Sequence, residues 1–321
     1  MKRSHRDFTR SIGASEGQPP REQRAQAPTA WQIPTDARSS ALPLLRWPGS
    51  KRRVLSVLRR HLPHEMHRYF EPFAGSLCLF FALTPSAASL GDTNSDLIAM
   101  YKTLRSTPRE LCAEVNRLGR DAQTYYRVRE PLPKRASELK RATRFIYLNR
   151  MAFNGVYRTN RLGHFNVPMG SRTGSFPSEA AYLAASAALQ QATLQCVDFE
   201  TLLLPARAGD FAYLDPPYFS PGRQHYGEYG YPCFSQDDER RLWDYLHKLD
   251  CRGVTFLLSY RGGVDRRRIA RNWTCVRVRS SRILAANPGA RGVRNDILVT
   301  NLRPPHRDAR TKARPEETAA R

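Results

Sequence analysis

The sequence is short of cysteine, of acidic residues and of long hydrophobic runs, and each shortage excludes a class of protein. Its six cysteines are scattered, with no CxxC pair and no regular spacing. This pattern argues against a disulfide framework and a cysteine zinc site, and it indicates reduced thiols. No apolar run reaches the length that spans a bilayer, and no apolar stretch follows the first basic residues as it would in a signal peptide. We therefore expect no membrane contact and a cytoplasmic location.

The sequence also lacks a convincing metal motif. His61, His64, Glu65 and His67 are close together, but they do not form the HExxH pattern of a zinc protease. They fall at the end of a basic helical segment that a proline interrupts. We therefore expect no bound metal ion.

Acidic residues are outnumbered by basic ones, 29 against 52, which gives a formal net charge of +23. Residues 1–40 and 302–321 carry only +3 each, so most of the excess charge lies between them. Arginine dominates the basic residues, and its planar fork suits phosphate groups and guanine edges. The charge therefore predicts a nucleic acid as partner.

Strand-like and helix-like segments alternate along the chain. The polar composition of 1–40 and 302–321 predicts disordered arms, and no internal repeat is visible. The predicted strands cover 69–73, 88–92, 193–197, 211–214, 254–259, 275–279 and 297–301. The predicted helices cover 53–62, 77–83, 96–105 (capped by Asn94 or Ser95), 109–150 and 178–190. This alternation predicts an α/β sheet with helices on both faces, interrupted by a mostly helical insertion.

The tetrapeptide Asp215-Pro216-Pro217-Tyr218 directly follows the apolar run at 211–214. Neither proline has an N–H group, so the strand must end there in a stiff turn. The turn presents a carboxylate, backbone carbonyls and an aromatic ring at the carboxyl end of a sheet, where open α/β folds bind ligands. These groups suit an extruded base with an exocyclic amino group. The alternative is a strand stopped by proline with an aspartate on the surface.

Three further acids end predicted strands. Glu71 and Asp92 lie on either side of the turn at Gly75, and Asp198 follows a third strand beside Phe199. An acid at the end of the second strand is typical of ribose binding, although no full GxGxxG is present. Taken singly, each acid is more simply a solvated strand end. Together with the tetrapeptide they indicate a cofactor that contains adenosine.

Four short segments and one longer one follow each other in a distinctive order. They are Trp47-Pro48-Gly49-Ser50-Lys51, Glu71-Pro72-Phe73-Ala74-Gly75, Asp92-Thr93-Asn94-Ser95-Asp96-Leu97-Ile98, the segment from Phe145 to Gly170, and Asp215-Pro216-Pro217-Tyr218. This ordered set resembles the Dam-type DNA adenine-N6 methyltransferases (D12 class, alpha group). The resemblance runs from about Leu44 to Asn301, roughly four-fifths of the chain.

The resemblance implies a Rossmann-like S-adenosylmethionine-dependent methyltransferase sheet with an inserted, mostly helical target-recognition domain. The catalytic domain would comprise 41–98 and 178–301, and the DNA-binding insertion 99–177. The implied cofactor is S-adenosylmethionine. Its binding residues would be Trp47, Gly49 and Lys51 at the amino-acid end, Glu71, Phe73 and Gly75 under the methionine portion, Asp92 at the ribose, Asp198 and Phe199 at the adenine, and Asp215.

The resemblance also assigns the acceptor. Asp215, Pro216, Pro217 and Tyr218 would form the catalytic site around a flipped adenine. The adenine N6 is a poor nucleophile because its lone pair is delocalised into the ring. If Asp215 accepts one N–H and the Pro216 carbonyl accepts the other, the lone pair can face the methyl donor. Positioning would then supply most of the rate enhancement.

The residues that the resemblance places against DNA are Phe153, Val156, Arg158, Pro168 and Arg172. Arg158 suits guanine O6 and N7, with Asn154-Gly155 beside it allowing close approach to the groove; the alternative is a phosphate contact. Phe153 would fill the gap left by the flipped base. The implied target is a GATC-like site, and Arg172 stands where relatives often carry an aromatic residue.

Leu77 departs from the family pattern, since a second glycine is usual at that position. We expect its side chain to crowd the cofactor or to reshape the turn. Two other functions stay open: a cytosine-N4 methyltransferase, and an inactive relative that only binds DNA. We expect a monomer that acts on double-stranded DNA close to the nucleoid, with a cognate restriction endonuclease as a further possible partner.

Overall fold

The computed structural model describes residues 30–32, 41–160, 162–171, 173–217, 234–261, 269, 271–281 and 293–302. Tyr218 and Arg172, both predicted site residues, lie outside these ranges. So do almost all residues of the two predicted arms.

A seven-stranded sheet forms the centre of the molecule. Its strands are β3 (Tyr69–Glu71), β4 (Ala88–Asp92), β5 (Ala192–Cys196), β6 (Phe211–Leu214), β7 (Thr255–Arg261), β8 (Thr274–Ser281) and β9 (Val293–Thr300). Across the sheet they follow the order β5-β4-β3-β6-β7-β9-β8. β3 to β7 are mutually parallel, whereas β9 is antiparallel to both β7 and β8. A separate pair of short strands consists of β1 (Trp31–Gln32) and β2 (Glu65–Met66). The predicted α/β sheet is confirmed.

The helices cover both sides of this sheet. They are α1 (Leu55–Arg59), α2 (Cys78–Leu83), α3 (Ser95–Ser106), α4 (Pro108–Asn116), α5 (Ala122–Arg129), α6 (Glu138–Met151), α7 (Glu179–Leu189), α8 (Phe199–Leu203) and α9 (Gln236–Cys251), with 3-10 helices at Lys51–Val54 and Phe153–Gly155. The first predicted helix is therefore shorter than expected, and α8 and α9 were not predicted. The run of helices from α3 to α7 lies between β4 and β5 in the chain, which accounts for the expected helical interruption.

Side-chain caps fix where several helices begin. Asn94 accepts a hydrogen bond from the Leu97 N–H at the start of α3, as predicted. Asp121 and Ser137 cap α5 and α6 in the same way. Ser235 and Asp238 form a capping box at the start of α9.

The alternation of side chains along the strands divides the core into two buried clusters. In β6, Phe211 and Tyr213 belong to the cluster that includes helices α3 to α7, whereas Ala212 and Leu214 belong to the cluster that includes α8 and α9. Successive strand residues point to opposite faces, so these clusters are the two faces of one sheet. Strands buried on both faces read as continuous apolar runs, which is the pattern of Phe211–Leu214.

The strand order reverses between β3 and β6. From β3 the chain proceeds outward to β4 and β5, and then returns to place β6 on the other side of β3. Such a switch point leaves a crevice at the carboxyl ends of the two strands. The fold therefore brings the residues after Glu71 and after Leu214 to one ligand-binding edge.

Candidate active site

Four acids lie along the carboxyl edge of the parallel strands. Glu71 and Asp92 are the last residues of β3 and β4, Asp215 directly follows β6, and Asp198 comes two residues after β5. Because β3 is paired with both β4 and β6, three of these acids follow adjacent strands. The structure thus places each of the four acids at a strand end or within two residues of one.

Lys51 binds the carboxylate of Asp215. Its Nζ lies 2.6 Å from Oδ1 and 2.8 Å from Oδ2, and 3.0 Å from the Gly49 carbonyl oxygen. The two side chains are only 10% and 20% exposed. Lys51 was predicted only at the amino-acid end of the cofactor; the ion pair joins it to the predicted catalytic acid.

The backbone at Gly49 explains how Lys51 reaches that position. Gly49 has a φ of +84°, in the left-handed region that favours glycine. The turn it forms leads directly into the 3-10 helix Lys51–Val54. Lys51 is thereby held at the base of the crevice with its ammonium group aimed at β6.

Burial raises the pKa of Asp215 above its ordinary value, although the Lys51 ammonium group acts in the opposite direction. The negative charge of Asp296 on β9 adds to the increase. A fifth of the carboxylate side chain stays exposed, so an incoming ligand can still reach it. The site therefore holds a carboxylate that is partly desolvated, paired and accessible.

Glu71 is buried beside this pair. The Tyr69 hydroxyl donates to its Oε2 at 2.7 Å. Burial raises the pKa of Glu71 to about 8, the hydrogen bond from Tyr69 opposes this rise, and the charge of Asp215 adds to it. Burial therefore favours the protonated form of Glu71.

The turn after β3 is tied to Asp92 and to Tyr101. The Gly75 N–H donates to Oδ2 of Asp92 at 3.1 Å, and the Asn94 N–H donates to Oδ1 at 2.9 Å. The Tyr101 hydroxyl donates to the Gly75 carbonyl at 2.8 Å. Burial raises the pKa of Asp92 to about 6, against these backbone hydrogen bonds. Asp92 thus holds the turn as well as ending β4.

Gly75 packs against Trp47. Its φ is +44°, and a Cβ atom built there would lie 3.0 Å from Cδ1 and Nε1 of the indole. A larger residue would therefore strain the backbone and press on Trp47. The structure brings these two predicted cofactor residues into direct contact.

Leu77 is the next residue of this turn with an unusual conformation. It adopts φ 53° and ψ 37°, in the left-handed region, as the residue that precedes α2. This explains why glycine suits the position, since a side chain costs about 1–2 kcal/mol in that region. The Leu77 side chain is fully buried within the hydrophobic core. We expected the Leu77 side chain to crowd the cofactor or to reshape the turn. In the structure the side chain packs in the core, and the turn has a left-handed conformation at this residue.

The predicted adenine end is built from Phe73, Phe199 and Asp198. The two phenyl rings stack with centroids 5.6 Å apart and an interplanar angle of 29°. Asp198 caps α8 by accepting from the Glu200 N–H at 3.0 Å, and it also pairs with Arg241. The turn after β3 and the start of α8 therefore meet through aromatic contact.

Four of the five predicted DNA-binding residues lie on an irregular segment that we call the recognition segment, residues 152–160 and 162–170; Arg172 lies outside the described residues. Phe153, Arg158 and Pro168 are exposed, and Val156 is half-buried. The Phe153 N–H donates to the Pro168 carbonyl at 2.9 Å, so these two residues are adjacent. Arg158 Nε donates to Oδ1 of Asn166 at 2.9 Å. The segment presents an aromatic ring and a guanidinium group to solvent on an ordered backbone.

Several residues that hold the site were missed by sequence reasoning. Asn149 is fully buried; it accepts from the Arg46 N–H at 2.8 Å and donates to the Arg46 carbonyl at 2.9 Å and the Gly155 carbonyl at 3.2 Å. Tyr101 and Arg241 were also missed. Tyr101 lies 26 positions from Gly75, Arg241 lies 43 positions from Asp198 and Asn149 lies 103 positions from Arg46, and no local pattern signals such contacts.

The described residues contain neither a metal-binding cluster nor a membrane-spanning helix. Among them, no group of three or more His, Cys, Asp or Glu side chains is placed to hold a metal ion. Within the same ranges, no helix is both long enough and apolar enough to cross a membrane.

Comparison with known proteins identifies relatives that match most of the chain. The family model described as D12 class N6 adenine-specific DNA methyltransferase matches residues 47–276. The chain is 30% identical over 269 residues to the type II methyltransferase M1.LlaDCHI of Lactococcus lactis subsp. cremoris, covering 81% of this chain and 95% of that protein. It is similarly 30% identical to the DNA adenine methylases of Vibrio cholerae serotype O1 (79% of this chain and 94% of that protein) and of Escherichia coli strain K12 (79% and 93%).

Proposed function

Because the chain belongs to the D12 class N6 adenine-specific DNA methyltransferases, we propose that it methylates N6 of a flipped adenine at a specific, GATC-like site in duplex DNA. The observation that carries this proposal is the Lys51–Asp215 ion pair at the switch point of the sheet, at 2.6 Å and only partly exposed. A partly buried carboxylate next to a cation at that edge suits the recognition of an amino group by a methyltransferase.

The chemistry of the crevice fits S-adenosylmethionine as methyl donor. When bound, this cofactor supplies an electrophilic methyl group on a sulfonium. Lys51 offers a cation for its carboxylate, and Asp92 offers a carboxylate at the position where a ribose is bound in related folds. Phe73, backed by the buried ring of Phe199, offers an aromatic face for the adenine, and Asp198 offers an acceptor for its amino group. Trp47, Gly49, Glu71 and Gly75 complete the wall.

Asp215 and the Pro216 carbonyl are assigned the acceptor amino group. Each accepts one N–H of the adenine N6, which turns the nitrogen lone pair away from the ring and toward the donor. Pro217 has no N–H and holds the turn rigid, and Tyr218 is assigned the stacking face. Positioning of this kind in a partly dehydrated crevice accounts for the catalysis, since no group on the chain has to form a covalent bond.

The recognition segment is assigned the reading of the DNA sequence. Arg158 would bind a guanine edge, Phe153 would fill the gap in the base stack, and Val156, Pro168 and Arg172 would line the groove. The exposure of Phe153 supports this role, because an exposed phenyl ring on an ordered turn is available to a partner.

The first experiment measures transfer of labelled methyl from S-adenosylmethionine to unmethylated duplex DNA and maps the product base by single-molecule sequencing. The comparison is between the wild type, Asp215→Asn and the control Asp237→Asn, which removes an equivalent charge from the exposed surface of α9. We expect N6-methyladenine at one short motif, retained in the control and reduced at least ~10³-fold by Asp215→Asn.

Other outcomes decide between the alternatives. N4-methylcytosine as the product would identify a cytosine-N4 methyltransferase. Tight DNA binding without any transfer by the wild type would identify an inactive relative.

The remaining assignments are part of the same proposal. The DNA-binding insertion would comprise 99–177 and the catalytic domain 41–98 and 178–301. We propose a monomer that works at the nucleoid in the cytoplasm. The description of one relative as a type II methyltransferase supports a restriction endonuclease as a partner. Light scattering on the DNA-bound protein would measure its mass and so test whether a single copy binds the duplex.

A further inference from the structure

Arg241 on α9 joins three carboxylates at the end of the sheet. Its guanidinium group lies 2.7 Å from Oδ1 of Asp198, 2.9 Å from Oδ1 of Asp238 and 3.3 Å from Oε1 of Glu200. Asp238 belongs to the capping box of α9, and Asp198 and Glu200 form the start of α8. One side chain therefore fixes the beginning of α8 against the beginning of α9.

The same guanidinium group covers an aromatic ring. Its Cζ lies 5.0 Å from the centroid of Phe199, within the range of a cation–π contact. Phe199 in turn stacks on Phe73 from the turn after β3. Arg241 thus contacts Asp198 by an ion pair and also contacts the buried ring of Phe199, which backs Phe73.

The hydrogen bonds of Asp198 leave one of its oxygens for a ligand. Both the Glu200 N–H and Arg241 donate to Oδ1. Within the described residues, Oδ2 accepts no hydrogen bond, and the side chain is 38% exposed. The bonds to Oδ1 fix the rotation of the carboxylate, so the direction in which Oδ2 points is also fixed.

We propose that Arg241 is a positioning residue that makes the enzyme select a 6-amino purine on its cofactor. It does so by holding Asp198 with Oδ2 directed at the amino group. This inference rests on the proposed function, since it assumes that the cofactor's purine lies beside Asp198 and against Phe73. Arg241 itself touches neither the methyl group nor the acceptor base.

Charge explains why Asp198 needs this partner. Without Arg241, Asp198, Glu200 and Asp238 would face one another with no cation between them, and like charges at this distance repel. Asp198 would then turn toward solvent, although it would still be able to cap α8. A neutral side chain at position 241 should therefore reduce the selectivity for the 6-amino purine more than it reduces stability, because an ion pair that is two-fifths exposed contributes little to stability.

The neighbouring Arg240 offers a matched control. Its ion pair is with Asp237 on the exposed side of α9, where both side chains are more than 70% exposed. Arg240→Gln and Arg241→Gln remove the same charge from consecutive positions. Any effect of net charge on DNA binding is therefore shared by the two variants.

The experiment measures binding of two probes by calorimetry: S-adenosylmethionine, and its analogue in which the purine carries a 6-oxo group instead of the 6-amino group. The wild type and Arg240→Gln should prefer the amino form. In Arg241→Gln we expect affinity for the amino form to fall ~10-fold, while affinity for the oxo form changes little, since one charged hydrogen bond is lost. The melting temperature and the KM for DNA should match those of Arg240→Gln.

The possible results separate this inference from the function on which it rests. If the wild type does not bind S-adenosylmethionine, both are overturned. If the wild type binds and Arg241→Gln keeps the preference for the amino form, only the role of Arg241 is overturned. An equal loss for both probes would make Arg241 merely structural and would also contradict the inference. Arg241→Lys, which retains the charge but not the fork, should give an intermediate preference.

Discussion

Two opposing effects act on the ionisation of the Asp215 carboxylate, and Lys51 supplies one of them. Burial favours the protonated form of Asp215, whereas the ammonium group favours the ionised form. Only an ionised Asp215 can accept the N–H of an incoming amino group through either oxygen. Lys51 therefore favours the ionised form of Asp215, which the proposed reaction requires, whereas burial favours the protonated form of Glu71.

Replacing Lys51 with Met should move the acidic limb of the pH–rate profile to higher pH. The pKa of Asp215 is already raised by burial, and loss of the ammonium group raises it further, so activity disappears earlier as the pH falls. At pH 7 we expect kcat/KM to fall by ~10² or more. Single-turnover rates between pH 5 and 9 measure this. Lys51→Arg keeps the charge and should keep the limb near its original position; a limb unmoved in Lys51→Met would show that Lys51 does not control the ionisation.

Leu77 combines a strained backbone with a buried side chain, and the two contributions predict an order of stability. Leu77→Ala keeps the left-handed strain and loses the packing, which costs about 2–5 kcal/mol. Leu77→Gly loses the same packing but relieves about 1–2 kcal/mol of strain. The free energy of unfolding should therefore fall in the order Leu, Gly, Ala. Urea denaturation of the three proteins measures this, and an alanine variant more stable than the glycine one would contradict it.

At the scale of elements, the recognition segment packs against Arg46, which precedes Lys51 by five residues. Asn149, at the end of α6, binds the backbone of Arg46 and the carbonyl of Gly155. Gly155 has a φ of +67°, and a Cβ atom there would lie 2.6 Å from the Arg46 carbonyl oxygen. The turn that carries Phe153 is thus in backbone contact with the residue just before Trp47.

Gly155 and Gly163 provide a comparison in which only this contact differs. Both have positive φ, but a Cβ atom at Gly163 would meet nothing within 4 Å. Each alanine variant should lose about 1–2 kcal/mol through backbone strain. Gly155→Ala should lose a further ~1–3 kcal/mol because backbone atoms must move apart. Thermal unfolding of the two variants tests this, and equal losses of unfolding free energy would mean that the contact with Arg46 does not affect stability.

Some elements were predictable because their cause is local. The apolar run that ends at a double proline gave β6 with the bounds Phe211–Leu214, and a short strand that ends in an acid gave β4. α9 was missed although a signal was present: Leu242, Tyr245, Leu246 and Leu249 are buried at helical spacing among many charged residues.

The site shows the limit of local reasoning more clearly. The acids were found because each ends a strand, and parallel strands place their ends together. The partners of those acids were not found. Lys51 meets Asp215 across 164 residues and Arg241 meets Asp198 across 43, and only the folded sheet sets such distances.

At the scale of the whole molecule, the charge of +23 governs how DNA is bound. Contacts between basic side chains and phosphates release counterions, so affinity falls steeply as salt rises. A protein with 6–10 such contacts loses about 10³–10⁵ in affinity between 50 and 200 mM salt. Most of the binding free energy would then be independent of DNA sequence, and selection of one site would depend on a few side chains of the recognition segment.

The salt dependence distinguishes the two roles open to Arg158. If it reads a guanine, Arg158→Ala should leave the slope of log K against log salt unchanged and lower discrimination at one base position by about 1–3 kcal/mol. If it contacts a phosphate, the slope should fall by about one unit and affinity should drop equally on all sequences. We expect the first result, because the hydrogen bond to Asn166 holds the exposed guanidinium group of Arg158 in one position rather than leaving it free to follow the DNA backbone.

Titrations of the wild type and the Arg158→Ala variant on GATC duplexes and on guanine-substituted duplexes, at four salt concentrations, measure the slope and the discrimination together. Arg127→Ala on α5 serves as the control for loss of one basic charge, since this side chain is exposed outside the recognition segment. A uniform loss for Arg158→Ala with a lower slope would assign Arg158 to the phosphates and move the reading of the target to other residues.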